Sequence, residues 1–373
     1  MINEQRLRHY FEELVTINSP TFNEFDIEQY LTSFARKHGL FCKVDGAGSK
    51  IGGNCGNIYL RMDGDASLKP LFFSAHIDTV ADTGNIKLLF DGKKYYTGGN
   101  TILGADDKAG VAAILELFSV LEESKRKYPT IEAVFTVAEE VGLLGAKNFD
   151  TTILQAKEGF VLDDHGNVGR AIIAAPVHYT AKCTVYGKSA HAGLEPEKGN
   201  NAIQALARAV LGLPSERIGS CTTANVGKIS GGEATNIVPG RASVEFEMRS
   251  LKPRKAEELI AKAKSVFSDM RDKTGCNFEL EIEKEYDAYS FSSNFGLLSV
   301  FGAACEKNGV KMQQVESTGG SDANIFNQQG ISALNVSVGM RDVHSKKEHI
   351  YLSDLKNIAS IIVSVVFSRI LAE

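Results

Sequence analysis

Apolar residues recur along the chain at two spacings, one typical of helices and the other of strands. Helical spacing is found in five segments: 2–15, 28–38, 111–121, 295–308 and a long amphipathic segment at 352–371. Short apolar runs bounded by Gly, Asp or Pro predict five strands: 57–62, 71–75, 131–137, 159–162 and 332–338. Because helical and strand segments alternate, we predict an α/β domain.

The pattern changes after Ala175. Two strand-like segments and two helical segments follow closely, at 178–186, 243–249, 201–211 and 253–270. The α/β pattern then returns, so this stretch reads as a smaller α+β module inserted into the first domain. We place the module at residues 176–287 and the interrupted domain at residues 1–175 and 288–373.

Composition narrows the classes of function. The chain has 373 residues and a formal charge of −5, and its Lys and Arg residues are scattered, so the basic stripe of a nucleic-acid-binding protein is missing. Its six cysteines lie far apart without a CxxC pair, which argues against a thiolate zinc site or a disulfide framework. The sequence shows neither a signal-peptide pattern nor an apolar run of about 20 residues. We therefore expect a soluble, cytoplasmic protein with reduced thiols.

Candidate chemistry is concentrated where the predicted strands end. The stretch GADDKAG, residues 104–110, puts Asp106 between a loop and an apolar helix. Alone, such an acidic pair is typical of a helix cap or a solvated turn. Four further stretches offer His, Asp or Glu in similar settings: FFSAHIDTV, FTVAEEVGLLGAK, FVLDDHG and VHSKKEH. Together the five stretches indicate a metal site.

Side-chain direction suggests which of these residues could bind metal and which could support a ligand or face a water molecule. In HID, Asp78 lies two positions after His76 and could hold the second nitrogen of the imidazole, although a buried His paired with an Asp for hydrogen bonding alone is the alternative. Glu139 and Glu140 are adjacent, so their side chains diverge. One could bind metal while the other faces a water molecule. Asp163 ends another apolar run.

Nine motifs occur in the order found in one enzyme family. They are HID at His76, GADDKAG at Asp106, AEEVG at Glu139 and Glu140, the strand-end Asp163, SAHAG at His191, TNIVP at Asn236, FEMR at Arg249, GGSDAN at Asp322 and HSKKEHI at His344. In this order they resemble the co-catalytic zinc peptidases, which include peptidase T, carboxypeptidase G and the aminoacylases. Within that family the chain is most similar to the tripeptide aminopeptidases of the peptidase T type.

The resemblance implies a fold and a metal centre. The fold would be a zinc-peptidase catalytic domain with a mixed central sheet flanked by helices, plus an inserted dimerisation or lid domain. Asp106 would bridge two Zn²⁺ ions, with His76 and Asp163 completing one site and Glu140 and His344 the other. Co²⁺ or Mn²⁺ could replace zinc. Glu139 would act as general base, Asp78 would support His76, and the peptide bond after Asp106 would be cis.

The resemblance also implies how substrate is held. His191 would come from a partner subunit, Arg249 would hold a substrate carboxylate, and Asn236 would also bind substrate. Gly320 and Asp322 would belong to a glycine-rich loop, 318–324, that forms a wall of the site, although Asp322 could equally be a structural acceptor. The expected protein is thus a homodimer, joined through the inserted domain, that hydrolyses short peptides and contacts neither nucleic acid nor membrane.

Three functions stay open on the sequence. A tripeptide aminopeptidase is the leading one. A dipeptidase, a carboxypeptidase or an N-acyl-amino-acid amidohydrolase would share every metal ligand. A catalytically silent peptide-binding protein is the third, but the full ligand set and Glu139 argue against it.

Overall fold

The computed structural model describes residues 1–368, and they divide into two units. The first unit contains Met1–Ile173, Phe291–Glu316 and the described chain from Ser321 onward. The second contains Ala174–Ser290 together with Ser317–Gly320. The module that the sequence pattern placed at 176–287 lies within this second unit.

Helices occur in both units. They are α1 (Glu4–Thr16), α2 (Phe25–Lys37), α3 (Ala47–Ile51), α4 (Ala105–Glu122), α5 (Leu144–Asn148), α6 (Ala202–Val210), α7 (Pro253–Thr274), α8 (Gly296–Lys307), α9 (Asp322–Gln328) and α10 (Leu352–Ser368).

Strands also occur in both units. They are β1 (Phe41–Val44), β2 (Ile58–Met62), β3 (Leu71–His76), β4 (Leu88–Phe90), β5 (Lys94–Thr97), β6 (Ile131–Thr136), β7 (Glu158–Asp164), β8 (Arg170–Ala175), β9 (Val177–Tyr186), β10 (Glu216–Arg217), β11 (Thr222–Gly231), β12 (Arg241–Ser250), β13 (Asn277–Tyr286), β14 (Tyr289–Ser290), β15 (Gln313–Glu316), β16 (Ser332–Ser337), β17 (Met340–Arg341) and β18 (His349–Tyr351).

The main sheet of the first unit is mixed. Its order is β1-β2-β6-β3-β7-β16-β8, with β15 also paired to β8. The central strands β6, β3, β7 and β16 run parallel, whereas β1, β2 and β8 pair antiparallel to their neighbours. Parallel strands end at the same edge of a sheet, and open α/β sheets bind ligands at that edge. His76 is the last residue of β3 and Thr136 the last of β6.

Helix α4 lies at the centre of the first unit. Every residue from Ala105 to Leu121 is buried, and α4 packs against α1, α10, β3 and β7. A helix that is apolar all round must be covered on all sides. Val111 and Phe118 are fully buried, and burying such a side chain contributes about 1.5–3 kcal/mol. The start of α4, which carries Asp106, is therefore firmly held.

The second unit contains an antiparallel sheet in the order β10-β11-β12-β9-β13. Buried and less buried residues alternate along β12. Ala205, Leu206 and Phe267, from α6 and α7, pack with Val244 and Phe246 of β12 in one apolar core. One face of this sheet therefore carries helices.

One sequence-based expectation differs from the structure, and another extends past the described residues. The segment 318–324, expected to be a loop, passes into α9 at Asp322 because Ser321 and Asn324 form a capping box. The final helix was expected to reach residue 371; it is seen to Ser368, and residues 369–371 lie outside the described chain.

Two expected absences can be compared with the described residues. No helix within 1–368 is both long and apolar enough to cross a membrane. The six cysteines, all of which lie in the described part, are free.

Candidate metal centre and active site

Asp106 lies between two histidines. Its Oδ1 is 3.1 Å from Nε2 of His76, and its Oδ2 is 3.2 Å from Nε2 of His344. Asp106 is 9% exposed and His76 is 2% exposed, whereas His344 is exposed. Each carboxylate oxygen of Asp106 thus faces a different imidazole, as a carboxylate that bridges two cations requires.

Two further acids approach these histidines. Oδ1 of Asp163 lies 3.7 Å from Nε2 of His76, and Oε1 of Glu140 lies 3.1 Å from Nε2 of His344. Asp164, next to Asp163, instead accepts a hydrogen bond from Nε of Arg170 at 2.8 Å. The five residues that the resemblance named as metal ligands therefore converge at one place.

Asp107 is an additional candidate ligand. Donor atoms of His76, Asp107 and Asp163 lie within 4.8 Å of one another, as do those of His76, Asp106 and Glu140. Asp107 is fully buried. Sequence reasoning did not name it, although its place beside Asp106 in GADDKAG was a signal.

Local backbone geometry positions this acidic pair. The peptide bond from Asp106 to Asp107 is cis, as the resemblance implied, and both residues depart from helical φ and ψ at the start of α4. Gly104 has a φ of 70°, a conformation that favours glycine. A Cβ atom at Gly110 would lie 2.5 Å from Oδ1 of Asp107, so only glycine fits there without displacing the carboxylate.

Asp78 contacts the second nitrogen of His76, but not through strand alternation. Strand β3 ends at His76, so strand alternation does not set the direction of Asp78. Nδ1 of His76 lies 3.0 Å from the backbone oxygen of Asp78 and 3.3 Å from its Oδ1. A carbonyl oxygen only accepts, so Nδ1 carries a proton. Nε2 faces Asp106 and Asp163 and is the nitrogen that would bind a cation once its own proton is lost.

The Asp78 carboxylate also holds the two adjacent glutamates. Its Oδ1 accepts the backbone N–H of Glu139 at 3.0 Å, and its Oδ2 accepts that of Glu140 at 3.3 Å. Oδ2 also accepts the Thr21 hydroxyl at 2.8 Å. Asp78 therefore ties the end of β3 to the loop that follows β6.

Glu348 holds the backbone around Asp106, a contact that sequence reasoning missed. Its Oε2 accepts the backbone N–H groups of Leu103 and Gly104, both at 2.8 Å, and its Oε1 accepts that of Asp106 at 3.0 Å. It is 1% exposed. Its place in HSKKEHI, four residues after His344, was the only signal in the sequence.

The charges of the two histidines and Asp106 depend on one another in the metal-free protein. Burial opposes a low pKa at Asp106, but hydrogen bonds from His344 and His76 outweigh it and lower that pKa. Asp106 and Glu140 raise the pKa of His344 to about 10. Burial opposes protonation of His76, yet Asp106 and Asp78 raise its pKa. In the absence of metal, both histidines of the centre are therefore held in the protonated, charged form.

The other acidic side chains of the centre lie close together, and burial together with their mutual repulsion raises their pKa values. Burial, and then the charge of Asp163, raise the pKa of Glu139, which is partly exposed. Burial also raises the pKa of Asp163, as do the nearby Asp107 and Asp106. Two divalent cations would relieve this crowding of carboxylates.

Asp322 lies in the same unit and is 1% exposed. One of its oxygens, Oδ2, accepts the hydroxyl of Thr136, the last residue of β6. The other, Oδ1, has no hydrogen-bond partner among the described residues. Burial raises the pKa of Asp322 to about 6.

The residues present fit a pair of divalent cations. The donors are imidazole and carboxylate without thiolate, a set that suits zinc, cobalt or manganese. Two buried oxygens, Oε1 of Glu140 and Oδ2 of Asp107, lack a hydrogen bond within residues 1–368. Nε2 of His344 lies 3.1 Å from this Oε1. Buried carboxylate oxygens without a hydrogen bond are the atoms that a cation would satisfy.

The other predicted substrate-binding residues belong to the second unit. Nδ1 of His191 accepts backbone N–H groups from Gly193 and Leu194 at 3.1 and 3.2 Å, so its exposed ring presents Nε2 as a donor when neutral. Asn236 is exposed on the adjacent segment, where its backbone carbonyl accepts the backbone N–H of Ala192 at 2.9 Å.

Arg249 and Gly320 are constrained within the same unit. Nη2 of Arg249 donates to Oε2 of Glu247 at 3.0 Å, while its buried Nε has no acceptor in the described part of the chain. A Cβ atom at Gly320 would lie 2.3 Å from the hydroxyl of Tyr286, so glycine is required for this close approach.

Family models match three parts of the chain. A peptidase dimerisation domain matches residues 176–274, peptidase family M28 matches residues 57–193, and the M42 glutamyl aminopeptidase family matches residues 284–361. The two catalytic-type matches contain the metal-centre residues of the first unit, and the dimerisation match lies in the second.

Relatives match over the full length of the chain. The protein YqjE of Bacillus subtilis is 37% identical over 98% of this chain and 99% of its own. The crystal structure of aminopeptidase PepT from Bacillus cereus is 36% identical, covers 100% of both chains and has a TM-score of 0.90. A tripeptidase from Staphylococcus aureus is 33% identical over 99% of both chains, with a TM-score of 0.93. Together with the convergent acids and histidines, these similarities show that the chain belongs to the peptidase T-like metallopeptidases of the M20 family.

Proposed function

We propose that this metallopeptidase is a di-zinc aminopeptidase that removes the N-terminal residue of short peptides, tripeptides foremost. The observation that carries the proposal is the arrangement of Asp106, whose two carboxylate oxygens each face the Nε2 of a different histidine. His76 and Asp163 would complete one cation site, and Glu140 and His344 the other. Two cations held there would lower the pKa of a shared water and polarise the peptide carbonyl.

Glu139 is the proposed general base. Its backbone is held by Asp78, and its neighbour Glu140 turns toward His344. A carboxylate in this position takes a proton from the attacking water and returns it to the leaving amine. In the metal-free protein, burial and then the charge of Asp163 raise its pKa.

The substrate class rests on similarity to the aminopeptidase of B. cereus and the tripeptidase of S. aureus. His191, with Nε2 available, would polarise the scissile carbonyl, and Asn236 would bind beside it. Arg249 would hold the carboxylate of a short peptide, because a planar guanidinium matches a carboxylate with two donors. Gly320 and Asp322 would shape the wall of the site.

A homodimer formed through the second unit is part of the proposal. The dimerisation-domain match supports it. Strand β10 pairs with β11 only at Thr223 and Ala224, so within residues 1–368 the outer edge of β11 beyond them lacks a strand partner. Ile229 on this edge is 59% exposed, and Ile203 of α6 is 38% exposed. Open edges and exposed apolar residues favour association with another chain.

Cleavage of a peptide panel tests the function. Zinc-loaded protein is incubated with di-, tri- and tetrapeptides, each with a free or an acetylated N-terminus, and products are read by mass spectrometry. Release of the first residue from free-amine tripeptides is expected. Cleavage of acetylated substrates or dipeptides instead would replace the proposed specificity with that of an amidohydrolase or dipeptidase. If the protein retained almost no metal after zinc loading and cleaved none of the peptides, a catalytic role would be contradicted.

A further inference from the structure

Side chains from distant parts of the chain hold the loop that carries Glu139 and Glu140. Four successive backbone N–H groups, from Val137 to Glu140, donate to side-chain oxygens. The last two donate to Asp78, as described above. The first two donate to Asn57 and Glu24, residues to which neither the motifs nor the resemblance assigned a role.

Glu24 is built into this contact. It precedes α2 and is 1% exposed. Its Oε1 accepts the N–H of Phe22 at 3.0 Å and the N–H of Ala138 at 3.1 Å. Ala138 has a φ of 48° and Phe22 a φ of 73°, so both donors lie in the left-handed region that residues with a side chain rarely adopt. Such conformations persist where surrounding contacts impose them.

Asn57 anchors the preceding residue. Its Oδ1 accepts the N–H of Val137 at 3.1 Å, and its Nδ2 donates to Oδ2 of Asp45 at 2.8 Å and to the carbonyl of Gly145 at 2.9 Å. The amide is therefore fixed in orientation and fully buried. Because it holds Val137 on one side of the left-handed Ala138 and Asp78 holds Glu139 on the other, Glu24 acts at the centre of the turn.

We infer that Glu24 is a positioning residue for catalysis, which sets the turn at Ala138 and thereby the direction of Glu139 and Glu140. The inference rests on the proposed roles of those two glutamates. Removing the acceptor leaves the buried Ala138 N–H without a partner and releases the left-handed turn. Glu139 then loses its alignment with the reacting water, and misplacement of a catalytic group by about 1 Å can cost about 100-fold in rate.

The test compares variants of Glu24 with variants of Glu132. Glu132 is a matched control, because it is also fully buried and also accepts two backbone N–H groups. These come from Gln155 at 3.0 Å and Ala156 at 2.7 Å, and not from residues 137–140. Glu24→Ala is expected to lower kcat by about 10- to 100-fold with KM nearly unchanged. Glu24→Gln, which keeps a side-chain oxygen acceptor, should restore most of kcat. Glu132→Ala should lower the unfolding temperature while kcat is retained.

Backbone hydrogen exchange gives a readout independent of turnover. In the zinc-loaded full-length protein, Glu24→Ala should accelerate exchange in a peptide that spans residues 135–143, and Glu132→Ala should not. Should Glu24→Ala fail to fold, Glu24→Asp, which withdraws the carboxylate by one methylene, takes its place. Unchanged kcat and unchanged exchange in the Glu24 variant would overturn the inference, as would equal losses in Glu24→Gln and Glu24→Ala. Absence of turnover in the unmodified protein would instead refute the proposed function and leave the exchange result to decide the role of Glu24.

Discussion

The carboxylate of Glu348 fixes the backbone of Asp106. Its Oε1 accepts the Asp106 N–H at 3.0 Å, and its Oε2 accepts the N–H groups of the two residues that lead into the cis turn, Leu103 and Gly104. Glu348 also lies four residues after His344. One side chain thus couples the buried Asp106, the proposed bridging ligand, to the loop that carries the exposed His344.

Glu348→Ala should therefore weaken metal binding. Three buried N–H groups would lose their acceptor, and outer partners of metal ligands typically contribute 10- to 100-fold in affinity. We expect an affinity loss of about that size, measured by competition with a zinc chelator. Glu116→Ala is the control, since Glu116 is equally buried but pairs with Arg6. Wild-type zinc affinity in Glu348→Ala would show that the contact does not support the centre.

Glu139→Ala should separate catalysis from metal binding. The change removes the proposed base but none of the proposed ligands, so kcat should fall by about 100- to 10,000-fold while both metals remain bound. Asp106→Ala should instead lose metal, since both proposed sites share this carboxylate. Metal analysis by mass spectrometry and kcat on a tripeptide distinguish the two variants. Near-normal kcat in Glu139→Ala would exclude it as the base.

Metal binding should release protons. In the metal-free protein Asp106 and Glu140 raise the pKa of His344 to about 10, and the pKa of His76 is raised as well. Both rings are therefore protonated imidazolium cations at neutral pH. A cation requires neutral imidazole, so binding displaces about one to two protons, and affinity should increase as pH rises toward 10. Calorimetry of zinc binding in buffers of different ionisation enthalpy measures this number. Identical enthalpies in all buffers would contradict it.

Ile229→Asp should weaken the proposed dimer. A charge placed on the exposed edge of β11 would have to be buried without a partner when two copies associate. Sedimentation velocity should show a shift toward monomer, with loss of kcat if His191 acts across the interface. Phe41→Asp is the matched control, because Phe41 is 46% exposed on β1, an edge strand of the main sheet in the first unit. Fully active monomers would reject the contribution of a partner subunit.

The sequence by itself determined the chemistry and its placement at strand ends. His76 and Asp163 follow from short apolar runs, and Asp106 from an apolar helix preceded by glycine, because each of these signals is local. The start of α9 at Asp322 was missed although it is local, since the capping box of Ser321 and Asn324 lies inside a glycine-rich stretch that resembles a loop.

Only the tertiary structure revealed which acids hold the backbone around the proposed ligands. Glu348 and Asp106 are 242 positions apart, and Glu24 and Ala138 are 114 apart, so neither contact leaves a pattern in the chain. Asp78 was expected to reach His76 through strand alternation, but β3 ends before it. Its carboxylate lies 3.3 Å from Nδ1 of His76 and also accepts the N–H groups of Glu139 and Glu140. Hydrogen-bond acceptors for a turn can come from anywhere that the fold brings near, and spacing along the sequence does not record them.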